Sequence, residues 1–172
     1  MNYFELLGLP VRLRIDKNEV RRKYLALSKA NHPDFFVNEN ASRQQDALEN
    51  FASLNKALAT LSSQNEIIRY VLQLKGLLED EEKYKLQPEF LMRMMEVNEA
   101  LEDAAIETDP NEKEQLIQQL NELENEIYQP VAHIIESYEE GVTSEEELLQ
   151  VKDYYFKKKY INRLRKQFGE KL

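Results

Sequence analysis

Residues 29–36, KANHPDFF, contain the side chains of this chain best suited to chemistry. His32 is one of only two histidines, and Pro33 and Asp34 follow it directly. A histidine beside a carboxylate can act as a general acid or base when a nucleophile or a metal lies next to it. The nearby hydroxyl of Ser28 shows no sign of activation, and nothing in the sequence supports a catalytic role for Asp34. The stretch therefore does not predict an enzyme.

The cysteine and histidine content argues against a metal site. The chain has no cysteine, which excludes disulfides, thiolate metal sites and a cysteine nucleophile. Zinc bound through histidine and carboxylate would need converging ligands, and the two histidines, His32 and His133, lie far apart in the sequence. We predict no metal and no cofactor.

Charge is distributed unevenly along the 172 residues. The formal net charge is −9, yet the segment 12–29 is rich in lysine and arginine, whereas 79–147 is dominated by acidic residues. An acidic chain repels nucleic acid, and a small basic face on an acidic body suits docking to an acidic protein. We therefore predict protein partners and no nucleic acid.

The sequence predicts neither a membrane span nor a leader. Its apolar runs, such as 67–78, are short and interrupted by Arg69, Gln73 and Lys75, whereas a span needs about 20 nearly uncharged residues. The first residues, MNYFELLGLP, already carry a foldable apolar pattern and resemble no signal or transit peptide. We expect a cytoplasmic protein without a membrane partner.

Helical periodicity and the scarcity of glycine and proline predict an all-α protein. Capping residues and helix breakers set the expected helices: 3–7, a helix capped by Asp16 and ending near Asn31, a helix with a stripe from Leu48 to Leu61, 66–74, 89–107, 111 to about 140, and 144 to about 168. Glu19 would complete a capping box with Asp16, and Pro130 should kink its helix. We divide the chain into an N-terminal domain (1–76), a charged linker (77–88) and a C-terminal three-helix bundle (89–172).

Two interpretations of His32, Pro33 and Asp34 are open at this point. In the first, the proline ends a helix and the aspartate caps a local turn. In the second, the tripeptide belongs to a partner surface together with the helix before it. On a wheel of about 100° per residue, Val20, Tyr24 and Leu27 share one side of that helix. Arg22 and Lys29 lie on the side of the helix opposite these apolar residues, and Arg21 lies at the flank of that cationic side.

This N-terminal region resembles a J domain, the module with which co-chaperones engage chaperone ATPases of the heat-shock-protein-seventy class. The resemblance is carried by YFELLGL at 3–9, EVR at 19–21 with Tyr24, HPD at 32–34 and LNKA at 54–57. It implies that the tripeptide and the basic helix face contact the chaperone's nucleotide-binding domain and interdomain linker and stimulate ATP hydrolysis. The implied chaperone-binding residues are His32, Pro33, Asp34, Arg21, Arg22 and Lys29. Two departures are Leu25-Ala26 and Phe35, where many J domains carry cations.

The helix predicted from Glu89 has two apolar sides. Its core stripe, within roughly 40° of Phe90, consists of Phe90, Met94, Val97, Leu101 and Ala104. A second apolar group, Leu91, Met92 and Met95, falls among the acids Glu96, Glu99, Glu102 and Asp103. Either this group packs against another part of the chain, or it is a partner surface, since methionine adapts to irregular partners and a charged rim is normal at interfaces.

In order and length the whole chain resembles the HscB-type J-protein co-chaperones of iron–sulfur cluster biogenesis. The matching residues are FLM at 90–92 followed by Glu96, Glu99 and Leu101, and LQLKG at 72–76. The resemblance implies a C-terminal bundle that binds the cluster scaffold protein and delivers it to an HscA-type chaperone, with no bond-breaking chemistry of its own. The implied scaffold-binding residues are Leu91, Met92, Met95, Glu96, Glu99, Asp103 and Phe156. A J-protein for a different client, or a coiled-coil adaptor, remains open.

Three further features receive structural interpretations. We interpret His133 as a surface or boundary histidine. The basic run at 157–159 with Arg163, Arg165 and Lys166 is expected to neutralise neighbouring acidic helices. Tyr154, Tyr155, Phe156 and Tyr160 are expected to supply core, with one side exposed.

Overall fold

Seven α-helices form the fold in the part of the chain that the computed structural model describes, residues 1–107 and 109–169, with the side chains of 105–107 excepted. They are α1 (Tyr3–Leu6), α2 (Lys17–Ala30), α3 (Ala41–Leu61), α4 (Gln64–Leu74), α5 (Pro88–Glu107), α6 (Pro110–Glu136) and α7 (Glu145–Gln167). A single 3-10 turn, Pro33–Phe36, joins α2 to α3. The all-α prediction is confirmed, and the last residues of the predicted bundle, 170–172, lie outside the described part.

Local capping explains where several helices begin. The Asp16 carboxylate accepts from the backbone N–H of Asn18 at 2.9 Å and so caps α2, but the reciprocal bond expected from Glu19 is not formed. At α7 a complete capping box is present, in which the side chains of Ser144 and Glu147 each accept from the other's backbone N–H. These bonds satisfy N–H groups that have no partner within the helix.

Helix α3 packs on α2 and on the 3-10 turn. Its buried stripe contains Ala47, Leu54, Ala57 and Leu61, with Leu58 and Phe51 partly buried. The expectation that Leu48 belongs to this stripe is wrong, because Leu48 is 52% exposed. Ala47, Leu54 and Leu61 recur every seven residues, which leaves Leu48 about 100° outside the stripe. A hydrogen bond of 2.7 Å from Tyr24 Oη to Asn55 Oδ1 ties α2 to α3.

Helices α5, α6 and α7 pack on one another and form the expected three-helix bundle. One hydrophobic cluster fills the half of this bundle that lies away from the N-terminal helices. It contains Phe90, Met94, Leu101, Leu120, Leu123, Ile161 and Leu164. Val97 packs against it, and Ala104 is buried on the same helix side. The core stripe predicted for α5 is therefore confirmed.

A second hydrophobic cluster joins the N-terminal helices to the near half of the bundle. It combines Ile68 and Leu72 of α4 with Ile134 of α6 and Val151 and Tyr155 of α7, all buried. Polar contacts reinforce this junction on its flank. Arg14 donates to the Tyr128 hydroxyl at 2.7 Å, and that hydroxyl donates to Glu136 at 3.0 Å. The two halves of the chain thus share a continuous core.

The charged linker is a packed segment that lies along α7. Leu78 is buried in the shared core. The Tyr84 ring stacks on Phe156 with ring centroids 4.4 Å apart, and its hydroxyl donates to Asp153 at 2.9 Å. Glu82 is ion-paired with Lys152 at 2.8 Å. Burial, followed by the hydrogen bond to Asp153, raises the pKa of Tyr84 to about 12.

The shared core predicts that both halves unfold together. Leu72→Ala removes a fully buried side chain from the junction, so we expect the free energy of unfolding to fall by about 2 to 5 kcal/mol, in a single transition. Leu74→Ala, on the same helix but 43% exposed, is the control and should cost less than about 1 kcal/mol. Chemical denaturation followed by circular dichroism measures both. Two separate transitions, only one of them shifted, would contradict a shared core.

Tyr84→Phe should keep the ring stack and lose the hydrogen bond to Asp153, at a cost of about 0.5 to 1.5 kcal/mol near neutral pH. Because the pKa of Tyr84 is raised on folding, to about 12, this tyrosine stabilises the fold fully below its unfolded pKa of about 10 and loses that contribution as the pH rises towards 12. The stability difference between wild type and variant, measured by denaturation at pH 8, 10 and 11.5, should therefore shrink at alkaline pH. A constant difference would be evidence against this role.

Candidate partner-binding surfaces

The His32-Pro33-Asp34 turn is capped and accessible. His32 caps the 3-10 turn, since its Nδ1 accepts from the backbone N–H of Asp34 at 3.3 Å, and Pro33 occupies the first position of the turn. The imidazole packs edge-on against Phe51, with ring centroids 5.3 Å apart, yet 44% of the side chain is exposed. The same Nδ1 lies 3.5 Å from Asp34 Oδ2, so the imidazole and the carboxylate of this turn lie side by side. The first interpretation predicts that Asp34 caps the turn, and this is wrong because His32 caps it.

The cations of α2 lie on its exposed side. Arg21, Arg22 and Lys29 are all exposed, and none has a carboxylate within 4.0 Å among the described residues. On the opposite side Val20 is fully buried. The cationic face runs directly into the turn, because α2 ends at Ala30.

Two apolar side chains accompany this cationic face. Leu25 lies on the same arc of α2 as Arg21 and Lys29, four residues from each, and is exposed. Phe35 is 68% exposed, and its ring lies 6.2 Å from that of His32. The surface therefore combines cations with apolar groups.

The second apolar group of α5 also faces outward. Met92 and Met95 are 62% and 58% exposed, and Leu91 is partly buried. The acids placed around this group, Glu96, Glu99 and Asp103, are exposed as well. The alternative in which the group packs against another part of the chain is therefore wrong for both methionines. Helix geometry explains the result, because the buried stripe through Met94 leaves these positions on the opposite side.

Phe156 lies on α7 and not on the methionine face, by which we mean Leu91, Met92 and Met95 of α5. A depression beside Phe156 adjoins this face at Leu91. Leu91 and Phe156 both line this depression, together with Tyr84 and Leu86 of the linker segment and Tyr160 of α7. Sequence reasoning missed the contributions of Tyr84 and Leu86, because the segment was classed as a charged linker. The alternation of apolar and charged residues at 83–86 was the available signal for an extended, packed strand of chain.

The other sequence features have structural roles. His133 is exposed on α6, as predicted. Lys158 and Arg165 both pair with Glu124 of α6, as expected, whereas Lys157 pairs with Asp153 of its own helix. For Lys159, Arg163 and Lys166 the expectation is wrong, because none of the three has a carboxylate within 4.0 Å among the described residues. Tyr154 and Tyr155 are buried and Phe156 and Tyr160 partly so, as expected.

Within the described ranges no group of three or more acidic or histidine side chains is arranged to hold a metal ion. In the same part of the chain, no helix has the length and apolarity that crossing a membrane requires.

Two family profiles match the chain. The DnaJ domain profile matches residues 2–70, and the profile described as the HSCB C-terminal oligomerisation domain matches residues 86–168. A co-chaperone protein HscB homolog of Shewanella loihica is 33% identical over 166 residues, which cover 95% of this chain and 93% of that protein. A homolog of the same name from Vibrio cholerae serotype O1 (strain M66-2) is 37% identical over 111 residues, and this match spans 65% of its length.

Solved structures have the same fold. The chaperone HscB from Vibrio cholerae superposes with a TM-score of 0.77 at 26% identity, covering 98% of this chain and 95% of that one. The human co-chaperone protein HscB superposes with a TM-score of 0.82 at 22% identity, and the superposition covers 98% of this chain and 80% of that one. At this identity the similarity is one of fold alone. The two profiles, found in this order, and the near full-length relative show that the chain belongs to the HscB family of J-domain co-chaperones.

Proposed function

We propose that this chain brings an iron–sulfur cluster scaffold protein to an HscA-type chaperone ATPase and stimulates that chaperone's ATP hydrolysis, which aids cluster transfer to acceptor proteins. The observation that carries the proposal is the exposed cationic face of α2, which has no ion pair among the described residues and leads into an accessible His32-Pro33-Asp34 turn, in a chain of the HscB family. The chain itself breaks no bonds in this scheme. The cytoplasm is its proposed location.

The chaperone-binding surface consists of His32, Pro33, Asp34, Arg21, Arg22 and Lys29. Exposed cations steer an acidic partner into encounter, and no carboxylate among the described residues lies within 4.0 Å to neutralise them. Pro33 restricts the turn, so little conformational entropy is lost when the turn is ordered against a partner. The His32 imidazole and the Asp34 carboxylate, both exposed, then offer two adjacent polar groups to the partner.

The proposed scaffold-binding surface consists of Leu91, Met92, Met95, Glu96, Glu99, Asp103 and Phe156. Its centre is apolar and adaptable, because methionine has an unbranched, polarisable side chain. Its acidic rim adds charge selectivity around this centre. Exposure of two large methionines is costly for a surface without a partner, and both are more than half exposed.

Two sites on one molecule raise the local concentration of the scaffold at the chaperone. ATP hydrolysis in the chaperone would then close it on its client. We propose residues 1–76 as the chaperone-binding domain, 77–88 as the linker and 89–172 as the scaffold-binding domain. One hydrophobic cluster joins the N-terminal helices to α6 and α7 and the other joins α5 to them, so both proposed surfaces belong to a single body.

His32→Gln should abolish stimulation of the chaperone's steady-state ATPase and leave the melting temperature within about 2 °C, because a partly exposed turn residue contributes little to stability. His133→Gln is the matched control, since His133 is the second histidine and is exposed on α6; it should stimulate like wild type. Equal stimulation by wild type and His32→Gln would remove the chaperone-binding assignment.

Met92→Ala/Met95→Ala should weaken scaffold binding roughly 10- to 100-fold, because the few residues at the centre of an interface that dominate binding cost more than about 1 kcal/mol each when truncated. The matched control is Leu48→Ala/Val142→Ala, which truncates two apolar side chains that are exposed elsewhere. Isothermal titration calorimetry with purified scaffold measures both variants. Undiminished binding would reject this patch, and no binding by wild type would show that the chain serves a different client.

A further inference from the structure

The depression between the linker segment, α5 and α7 has an apolar floor and a cationic border. Its apolar and aromatic lining consists of Tyr84, Leu86, Leu91, Phe156 and Tyr160. Its basic lining consists of Lys83, Lys85, Lys159 and Arg163. Glu82 is the acidic residue of the lining, and it is already paired with Lys152 at 2.8 Å. The depression therefore carries a net positive charge.

The four cations of this border form no ion pairs in the part of the chain that the structure describes. None of them has a carboxylate within 4.0 Å among residues 1–107 and 109–169, in contrast to Lys157 and Lys158 on the same helix α7. Two of them are held over rings of the floor: Lys159 Nζ lies 5.9 Å from the Phe156 centroid, and Arg163 Cζ lies 5.8 Å from that of Tyr160. Such contacts orient a cation without neutralising it.

Opposite charge lies further along α5. Glu96, Glu99 and Asp103 follow Leu91 by five, eight and twelve residues, or roughly 7 to 18 Å at 1.5 Å per residue. The methionine face, Leu91, Met92 and Met95, thus lies between two charged ends. The end at the depression is cationic, and the end on the distal part of α5 is anionic.

We propose that the depression is a second part of the scaffold-binding surface. It binds an acidic segment of the scaffold protein, and this segment carries an apolar or aromatic side chain. The apolar side chain would occupy the floor, and carboxylates would pair with Lys159 and Arg163. This inference rests on the proposed function, because it assumes that Leu91 and Phe156 face the scaffold. If the scaffold bound in the reversed orientation, its acidic segment would lie against Glu96, Glu99 and Asp103 and would be repelled. The cationic and anionic ends of the surface therefore fix the orientation in which the scaffold binds.

The test is the affinity of purified scaffold for Lys159→Glu/Arg163→Glu, measured by titration calorimetry in 0.1 M and 0.5 M salt. We expect binding about tenfold weaker than wild type at 0.1 M salt and about twofold weaker at 0.5 M, because salt screens exposed charges. Lys56→Glu/Lys113→Glu reverses two exposed lysines of α3 and α6 that form no ion pair among the described residues. It changes the net charge equally and should bind within twofold of wild type. Lys159→Gln/Arg163→Gln should be intermediate, and melting curves check that each variant is folded.

The outcomes separate this inference from the function on which it rests. If the charge-reversed variant binds like wild type while Met92→Ala/Met95→Ala binds weakly, the cationic half is wrong and the scaffold assignment stands. An equal loss in the Lys56→Glu/Lys113→Glu control would mean that overall charge, not the depression, is responsible, and would also overturn the inference. If wild type binds no scaffold, both fail together.

Discussion

The packing of α4 against α7 is the contact on which the rest of the molecule depends. Ile68 and Leu72 are buried there against Val151 and Tyr155 in the same cluster that contains the first helix and the near half of α6. This cluster joins α2 and α3, which flank the HPD turn, to α6 and α7, and the other cluster joins α5 with its two exposed methionines to the same two helices. A flexible tether would let the two surfaces meet in many geometries, whereas a shared core holds one geometry and loses no tether entropy when both partners are bound.

Much of the helical framework could be predicted from sequence, because its signals are local. Asp16 and Ser144 start helices through their own side chains, and Pro33 stops one through its ring. The exposure of Met92 and Met95 followed from helix geometry once the buried stripe was known. Leu48 shows the limit of the same reasoning, since an apolar residue next to a stripe is buried only if another element covers it.

The packed linker could not be predicted, because its structure is determined by residues far away in the sequence. Tyr84 is ordered by Phe156 and Asp153 of α7, and Glu82 by Lys152. Composition alone gives this acidic stretch the appearance of a solvated tether. The same long-range packing creates the depression beside Leu91, so its cationic border is invisible in the sequence, where Lys159 looks equivalent to its paired neighbours Lys157 and Lys158.

The central claim is that one molecule must hold the chaperone and the cargo at the same time. Its most direct test is a complementation measurement in which scaffold-dependent ATPase stimulation is recorded for an equimolar mixture of two defective proteins, one altered at His32 and the other at Met92 and Met95. Each protein retains one intact surface, but no molecule has both. The account predicts that the mixture fails to restore the scaffold-dependent rate seen with wild type, and restoration to the wild-type rate would contradict it.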